Sequence, residues 1–204
     1  MRKGQIYSLL SLISITVLIL GCTGGGQSRD YMEENDSVMI YTPDTAFYGH
    51  LGESTGMSSI ELITDSGDTL SLNKTNEKTG GQGSIIGEIA NYTDYFSVTT
   101  CDNNQSVDVA LNVTQLLQRK WQSDTDRRHG IFLEANGKAR PLSAEQYKYN
   151  MWSLCNCKLI LLRESEGEHG AETRNDTLNI LYLSPDSLTL QCTRDSISER
   201  FHRI

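Results

Sequence analysis

The sequence predicts an all-β chain, two small antiparallel barrels in tandem behind an export leader. Three observations carry this: an uncharged apolar run opens the chain, period-two alternation broken by turn residues fills the rest, and charge divides unevenly between the halves. The 204 residues suffice for one ordinary domain or two small ones. Hydrophobic residues make up 37%, low but within the globular range, which excludes a wholly disordered chain. With 18 Lys and Arg against 26 Asp and Glu, the net charge is −8. Nucleic acid is therefore a poor partner, because binding it requires clustered cations against phosphates.

The leader comes first. Arg2 and Lys3 precede an uncharged run from Ile6 to Leu20, which stops at Leu20-Gly21-Cys22 and is followed by Thr23, Gly24, Gly25 and Gly26. A stop-transfer helix would carry basic residues at that point. The Leu-Gly-Cys ending resembles a bacterial lipobox. That resemblance implies a signal peptide over 1–21, acylation of the Cys22 thiol, and a membrane-attached lipoprotein with palmitate-type chains. Each buried CH₂ of such a chain adds about 0.8 kcal/mol of membrane affinity. Residues 22–36 then form the lipidated Cys and a flexible tether, since the glycines cannot pack and Glu33, Glu34 and Asp36 repel one another. Gly24 stands where enteric lipoproteins held at the inner membrane commonly have Asp, so the expected location is the outer membrane, facing either the periplasm or the cell surface.

The first barrel is expected over 37–115. Ile60, Leu62 and Thr64 share a face, Asp65-Ser66-Gly67-Asp68 turns the chain, and Leu70 and Leu72 return. The polar, Gly-rich stretch from Thr75 to Gly83 is a loop, and Tyr92 to Cys101 a further strand. Val107, Val109, Leu111 and Val113 alternate with Asp108, Ala110, Asn112 and Thr114, predicting a half-buried strand. One helical turn follows between Val113 and Gln118. Residues 23–118 carry a net −11 and residues 119–204 a net +1, which supports a boundary here.

The second barrel is expected over 116–204, as about seven antiparallel strands. The first opens at Trp121. Asn136-Gly137 joins Ile131–Glu134 to Ala139–Leu142 as a two-residue hairpin with both residues at positive φ. Cys155-Asn156-Cys157 joins Tyr147–Leu154 to Lys158–Leu162, and Ser184-Pro185-Asp186-Ser187 joins Leu178–Leu183 to Leu188–Gln191. Antiparallel order throughout excludes the βαβ folds and their nucleotide sites.

The stretch Leu116–Thr193, with Leu117 and Trp121, Gly130-Ile131-Phe132, Asn136-Gly137-Lys138-Ala139, Trp152 and the Leu178–Leu190 hairpin, resembles the lipocalin-like domains of Bacteroidetes lipoproteins. It departs at Arg119, where that pattern usually has Gly. Gly49, Ile60-Glu61-Leu62, Gly67-Asp68-Thr69-Leu70 and Gly87-Glu88 resemble the OB-like small barrel that often precedes such domains. The resemblance implies a module for a small apolar ligand. A two-barrel lipoprotein is also similar, in the opposite order, to an envelope-stress family linked to copper and surface sensing. The alternative reading is therefore an interaction or sensing lipoprotein with an envelope protein partner and no small-molecule ligand.

Candidate site residues are few. Trp121, Tyr147, Tyr149 and Trp152 would line or plug the second barrel, and core packing and a ligand pocket use the same aromatics. Cys155, Cys157 and Cys192 are disulfide candidates in an oxidising compartment, with Cys192 near enough in the strand order to reach the turn and the connectivity open. Cys155 and Cys157 are too close in sequence for easy mutual bonding. The C-x-C pair is a soft ligand set, but the copper-linked family uses C-x-x-C, so no metal is assigned. His50, His129, His169 and His202 are expected to be surface residues. No G-x-S-x-G or spaced carboxylate pair occurs, so no enzyme activity and no cofactor is expected. Six of the thirteen aspartates begin Asp-(Ser/Thr)-apolar triplets. These resemble an O-glycosylation acceptor motif of Bacteroidetes, and they are equally ordinary hairpin chemistry.

Overall fold

A computed structural model describes residues 42–117, 119–143, 148–167 and 170–204. The expected leader, Cys22, the tether, Tyr147 and His169 lie outside the described residues. Six strands come first: β1 Phe47–Leu51, β2 Ser59–Thr64, β3 Thr69–Asn73, β4 Ser84–Ile86, β5 Tyr95–Cys101 and β6 Ser106–Asn112. The alternation expected around Asp65–Asp68 is present, with Ile60 opposite Leu72 and Leu62 opposite Leu70. Gly49 lets β1 approach β2 closely: a Cβ there would sit 2.1 Å from the Ile63 carbonyl oxygen.

The first sheet runs β3-β2-β1-β5-β6-β4, and β3 meets β6 again at Asn73–Ser106. Strands β1, β2, β3, β6 and β5 thus form a ring of pairings. The antiparallel expectation is corrected at two places, because β3 and β4 both pair with β6 in parallel. The ring explains the first of these. Five strands cannot alternate direction all the way round, so one seam must be parallel. Inside lie Ile60, Leu62, Leu72, Phe96, Val98 and Ala110, all fully buried.

Strand β6 is not half-buried as its alternation suggested. Ala110 and Asn112, expected to face water, are fully buried. Both faces of β6 are covered: Val107 and Ala110 enter the first core, while Leu111 enters a second. Asn112 caps the expected helical turn, α1 Val113–Leu116, by accepting from Gln115 N–H at 2.9 Å. Its amide donates to the Glu88 carbonyl at 2.8 Å and to Asp94 at 2.9 Å, which satisfies an otherwise costly buried side chain.

Eight strands follow: β7 Lys120–Ser123, β8 Gly130–Leu133, β9 Ala139–Pro141, β10 Lys148–Cys155, β11 Lys158–Gly167, β12 Gly170–Leu183, β13 Ser187–Cys192 and β14 Ser198–Arg203. Each pairs antiparallel with its neighbour in the order β10-β11-β12-β13-β14-β7-β8-β9. Because β14 returns to β7, the barrel stays open only between β9 and β10. Backbone contacts across that seam include a bridge between Lys138 and Met151 and the bond from Trp152 N–H to the Gly137 carbonyl at 2.8 Å. The eighth strand, β14, was not expected. Its sequence, Ser-Glu-Arg-Phe-His-Arg, carries one large apolar residue, Phe201, and hides its period.

The two tight turns exchange roles. At Asn136-Gly137 only Gly137 has positive φ, 83°. The Gly137 N–H bonds to the Glu134 carbonyl at 3.1 Å and the Glu134 N–H to the Lys138 carbonyl at 2.9 Å. This is a three-residue loop with a bulge glycine, not the two-residue turn. The two-residue turn with both φ positive is Asn156-Cys157, at 50° and 59°. Asn156 tolerates this conformation, and its side chain accepts from Thr45 N–H at 2.8 Å. On β12, a bulge between Ile180 and Tyr182 leaves Leu181 half-exposed and switches the inward residue to Leu183.

The two β regions share a core. Ile86, Leu111, Val113 and Leu116 cluster with Trp121, Leu159, Leu183 and Phe201 of the barrel. Among the described residues no helix is long and apolar enough to cross a membrane.

Candidate functional site

A cavity of about 240 Å³ opens at one end of the eight-stranded barrel. Inward alternation builds its apolar wall from Ile131 of β8, Leu161 of β11, Leu178 of β12, Leu190 of β13 and Phe201 of β14. Tyr149 of β10 completes the wall. Ile131, Tyr149, Leu190 and Phe201 are one or two residues from the ends of their strands, Leu161 and Leu178 lie further in, and the packed core of Leu159, Ile180 and Leu188 adjoins them.

Two charged constellations lie among the same walls. The first joins β11, β12 and the turn after β13. The buried Asp176 carboxylate lies 3.4 Å from Arg163 Nε through one oxygen and 3.4 Å from Arg194 Nη2 through the other. The second joins β7, β8 and β14. Glu199 Oε1 lies 3.0 Å from His129 Nδ1 and also accepts from the Ser123 hydroxyl. The bond to Glu199 raises the His129 pKa against the burial that opposes it. Burial alone would raise Glu199, but the bonds from His129 and Ser123 outweigh it and hold the carboxyl below its usual value.

His129 is thus half-buried against Glu199 and edge-on to Phe201, at 5.6 Å between ring centroids, which corrects its expected surface role. His50 remains exposed, on the Thr93 carbonyl, and His202 is half-exposed, on Asp124 at 2.6 Å.

The aromatic candidates separate. Tyr149 lines the cavity. Trp121 is fully buried in the core, and its indole N–H donates to the Leu116 carbonyl at 3.1 Å. Trp152 packs partly buried, and its indole N–H donates to the Glu134 carbonyl at 2.7 Å, bracing the open seam. Arg119, the departure from the resembled pattern, donates to the Pro185 carbonyl at 2.7 Å and ties down the turn before β13.

The four cysteines among the described residues are free thiols. Cys192 lines the cavity and does not reach the Cys155/Cys157 turn. It sits opposite Leu178, which sits opposite Leu159. Two strand spacings, about 9–10 Å, exceed the roughly 7 Å that a disulfide spans between Cα atoms. Cys155 and Cys157 diverge, Cys155 toward the Thr42 carbonyl and Cys157 into the interior against Ser97. Burial pushes the Cys157 thiol pKa up. No group of three or more His, Cys, Asp or Glu that could hold a metal occurs among the described residues.

The sequence carried no signal for Arg163, Asp176, Arg194, His129 and Glu199 as a set. They come from five separated positions, and only the barrel register assembles them.

Residues 121–204 match the family model described as lipocalin-like. A crystal structure of a lipocalin-like protein from Bacteroides thetaiotaomicron is similar at 26% identity, over 42% of this chain and 94% of that one, with a TM-score of 0.36. No curated protein matches the chain. The matched segment takes in all eight strands of the barrel but for Lys120, the first residue of β7, and it is a lipocalin-like domain.

Proposed function

We propose that the lipocalin-like domain is a small-molecule-binding module carried by a lipid-anchored envelope protein. One observation supports the binding role above others: the barrel is packed solid through its middle yet leaves an apolar-walled space of about 240 Å³ at one end, with fixed polar groups beside it. The space lies at the small end of ligand sites. At about 30 Å³ per water-sized group it accepts roughly eight such groups. The expected apolar ligand must accordingly be short, and it must place a polar atom near the ion pairs.

The arrangement favours binding over catalysis. Ser123, Glu199 and His129 meet through the carboxylate, so the imidazole is not placed to take the serine proton as a general base would. The anchoring half of the proposal rests on the Leu20-Gly21-Cys22 ending and the uncharged run before it.

A methyl-resolved NMR titration with short aliphatic probes tests the binding role. Saturable shifts at Leu161, Leu178 and Leu190, with methyls of the first core such as Leu62 unmoved, support it. Shifts confined to surface methyls such as Leu181 refute it.

A further inference from the structure

A second cavity, of about 360 Å³, lies where the two β regions join, and it shares no described lining residue with the barrel cavity. Val113 and Leu117, which bracket α1, form an apolar wall with the ring of Tyr95. That ring is held in place. Its hydroxyl donates to Asp65, the Tyr95 N–H donates to the Thr114 hydroxyl at 2.7 Å, and His50 packs edge-on at 5.2 Å between ring centroids. The charged members of the lining are Arg119 and Arg203, and among the described residues no carboxylate joins them there. Arg119 directs one of its five donors to the Pro185 carbonyl, a neutral acceptor that orients the guanidinium without cancelling its charge. Arg203 Nη1 stands 4.0 Å from Asp186, beyond hydrogen-bond reach, and the Asp186 side chain is 84% exposed, where solvent screens it. A neighbouring space of about 320 Å³ is also walled by Tyr95 and Val113 and adds Tyr48 and Trp152, with no charged side chain among its described lining. The junction is basic at one end and aromatic at the other.

We propose that this junction cavity is a binding site for a small aromatic carboxylate. The acid is held by the Arg119 and Arg203 guanidiniums, whose planar forks match a carboxylate. The ring lies against Tyr95 over Val113 and Leu117, on the side that leads toward Tyr48 and Trp152. At about 30 Å³ per water-sized group the cavity takes roughly twelve such groups, the size of a fused two-ring aromatic with a short acid arm. Thr114 and Arg203 are exposed, so the site is open to solvent and its occupant exchanges and is lost on extraction. This site goes beyond the barrel's binding role, and neither depends on the other.

The test is calorimetric titration of the full-length chain in zwitterionic lipid nanodiscs, with empty nanodiscs as blank, against three probes that share one ring system: indole-3-acetate, indole-3-ethanol and tryptamine. Replacing charge-assisted bonds by neutral ones should cost about tenfold in affinity, so indole-3-acetate is expected to bind about tenfold tighter than indole-3-ethanol, with tryptamine weakest. Arg203→Gln, at an exposed position of β14, is expected to weaken indole-3-acetate about tenfold and to leave the urea midpoint of tryptophan fluorescence in place. Leu190→Trp, which fills the barrel cavity instead, is expected to leave indole-3-acetate binding unchanged. The acid-against-alcohol comparison on the unsubstituted chain decides without any variant: equal affinities, or no binding of the acid at millimolar concentration, overturn the proposal. Loss of indole-3-acetate binding in Leu190→Trp also overturns it, by placing the probe in the barrel, and so does unchanged binding in Arg203→Gln.

Discussion

Leu111→Ala probes whether the two β regions are energetically one. Leu111 belongs by sequence to the first sheet, yet it is fully buried in the core that holds Trp121, Leu159 and Phe201. Truncating a fully buried Leu removes its transfer free energy and leaves a cavity, for about 3 kcal/mol in total. With an urea slope of about 2 kcal/mol/M, this moves the unfolding midpoint by about 1.5 M. The chain's two tryptophans make the assay selective, because Trp121 and Trp152 both lie in the second region. Urea unfolding followed by tryptophan fluorescence should therefore show the full shift with an unchanged slope, although the substitution is on β6. A tryptophan transition left where it was in the unmodified protein would refute the shared core and make the regions independent folding units.

Other outcomes follow from the same contacts. The His129–Glu199 pair links stability to pH. A raised His pKa contributes stability that is fully present below its unfolded value of about 6.5 and is lost as pH rises through the folded one. A lowered Glu pKa contributes stability present above about 4.3 and lost as pH falls through the folded one. The Tm deficit of Glu199→Gln should therefore be largest between those values and shrink in alkaline solution; a deficit constant with pH would contradict the linkage. Cys157 is 4% exposed with a raised thiol pKa, so native-state alkylation mapped by peptide mass should leave it unmodified while Cys192 reacts. Equal labelling of both would show that the hairpin opens. Cys22→Ser should abolish palmitate labelling and release the protein from the membrane fraction, and retention of either would count against the lipobox reading.

Much of the fold was legible because local pattern and tertiary burial agree. Ile60, Leu62, Leu70 and Leu72 lie on one covered face, and the Asp65–Asp68 turn needs no distant partner. Legibility failed where burial is two-sided or inward residues are charged. Ala110 and Asn112 are buried because β6 is covered on both faces, which alternation cannot report. Strand β14 was missed because Glu199, an inward residue, is a carboxylate matched to His129 rather than an apolar side chain. The same feature hides the site. Arg163 and Asp176 interrupt the inward alternation of β11 and β12, so those strands seemed to end at Leu162 and begin at Leu178. Turn chemistry misled at Asn136-Gly137 and was informative at Asn156-Cys157, where an unremarkable pair takes the left-handed conformation because Thr45 and Pro43 hold the Asn156 side chain.

Native mass spectrometry of the full-length protein from its own host, beside a Leu190→Trp variant that fills the cavity, decides whether the barrel holds a ligand. The unsubstituted protein is expected to carry one small molecule per chain, released on mild activation, and the variant none. Equal masses after allowing for the substitution, with no released molecule from either protein, would contradict that expectation.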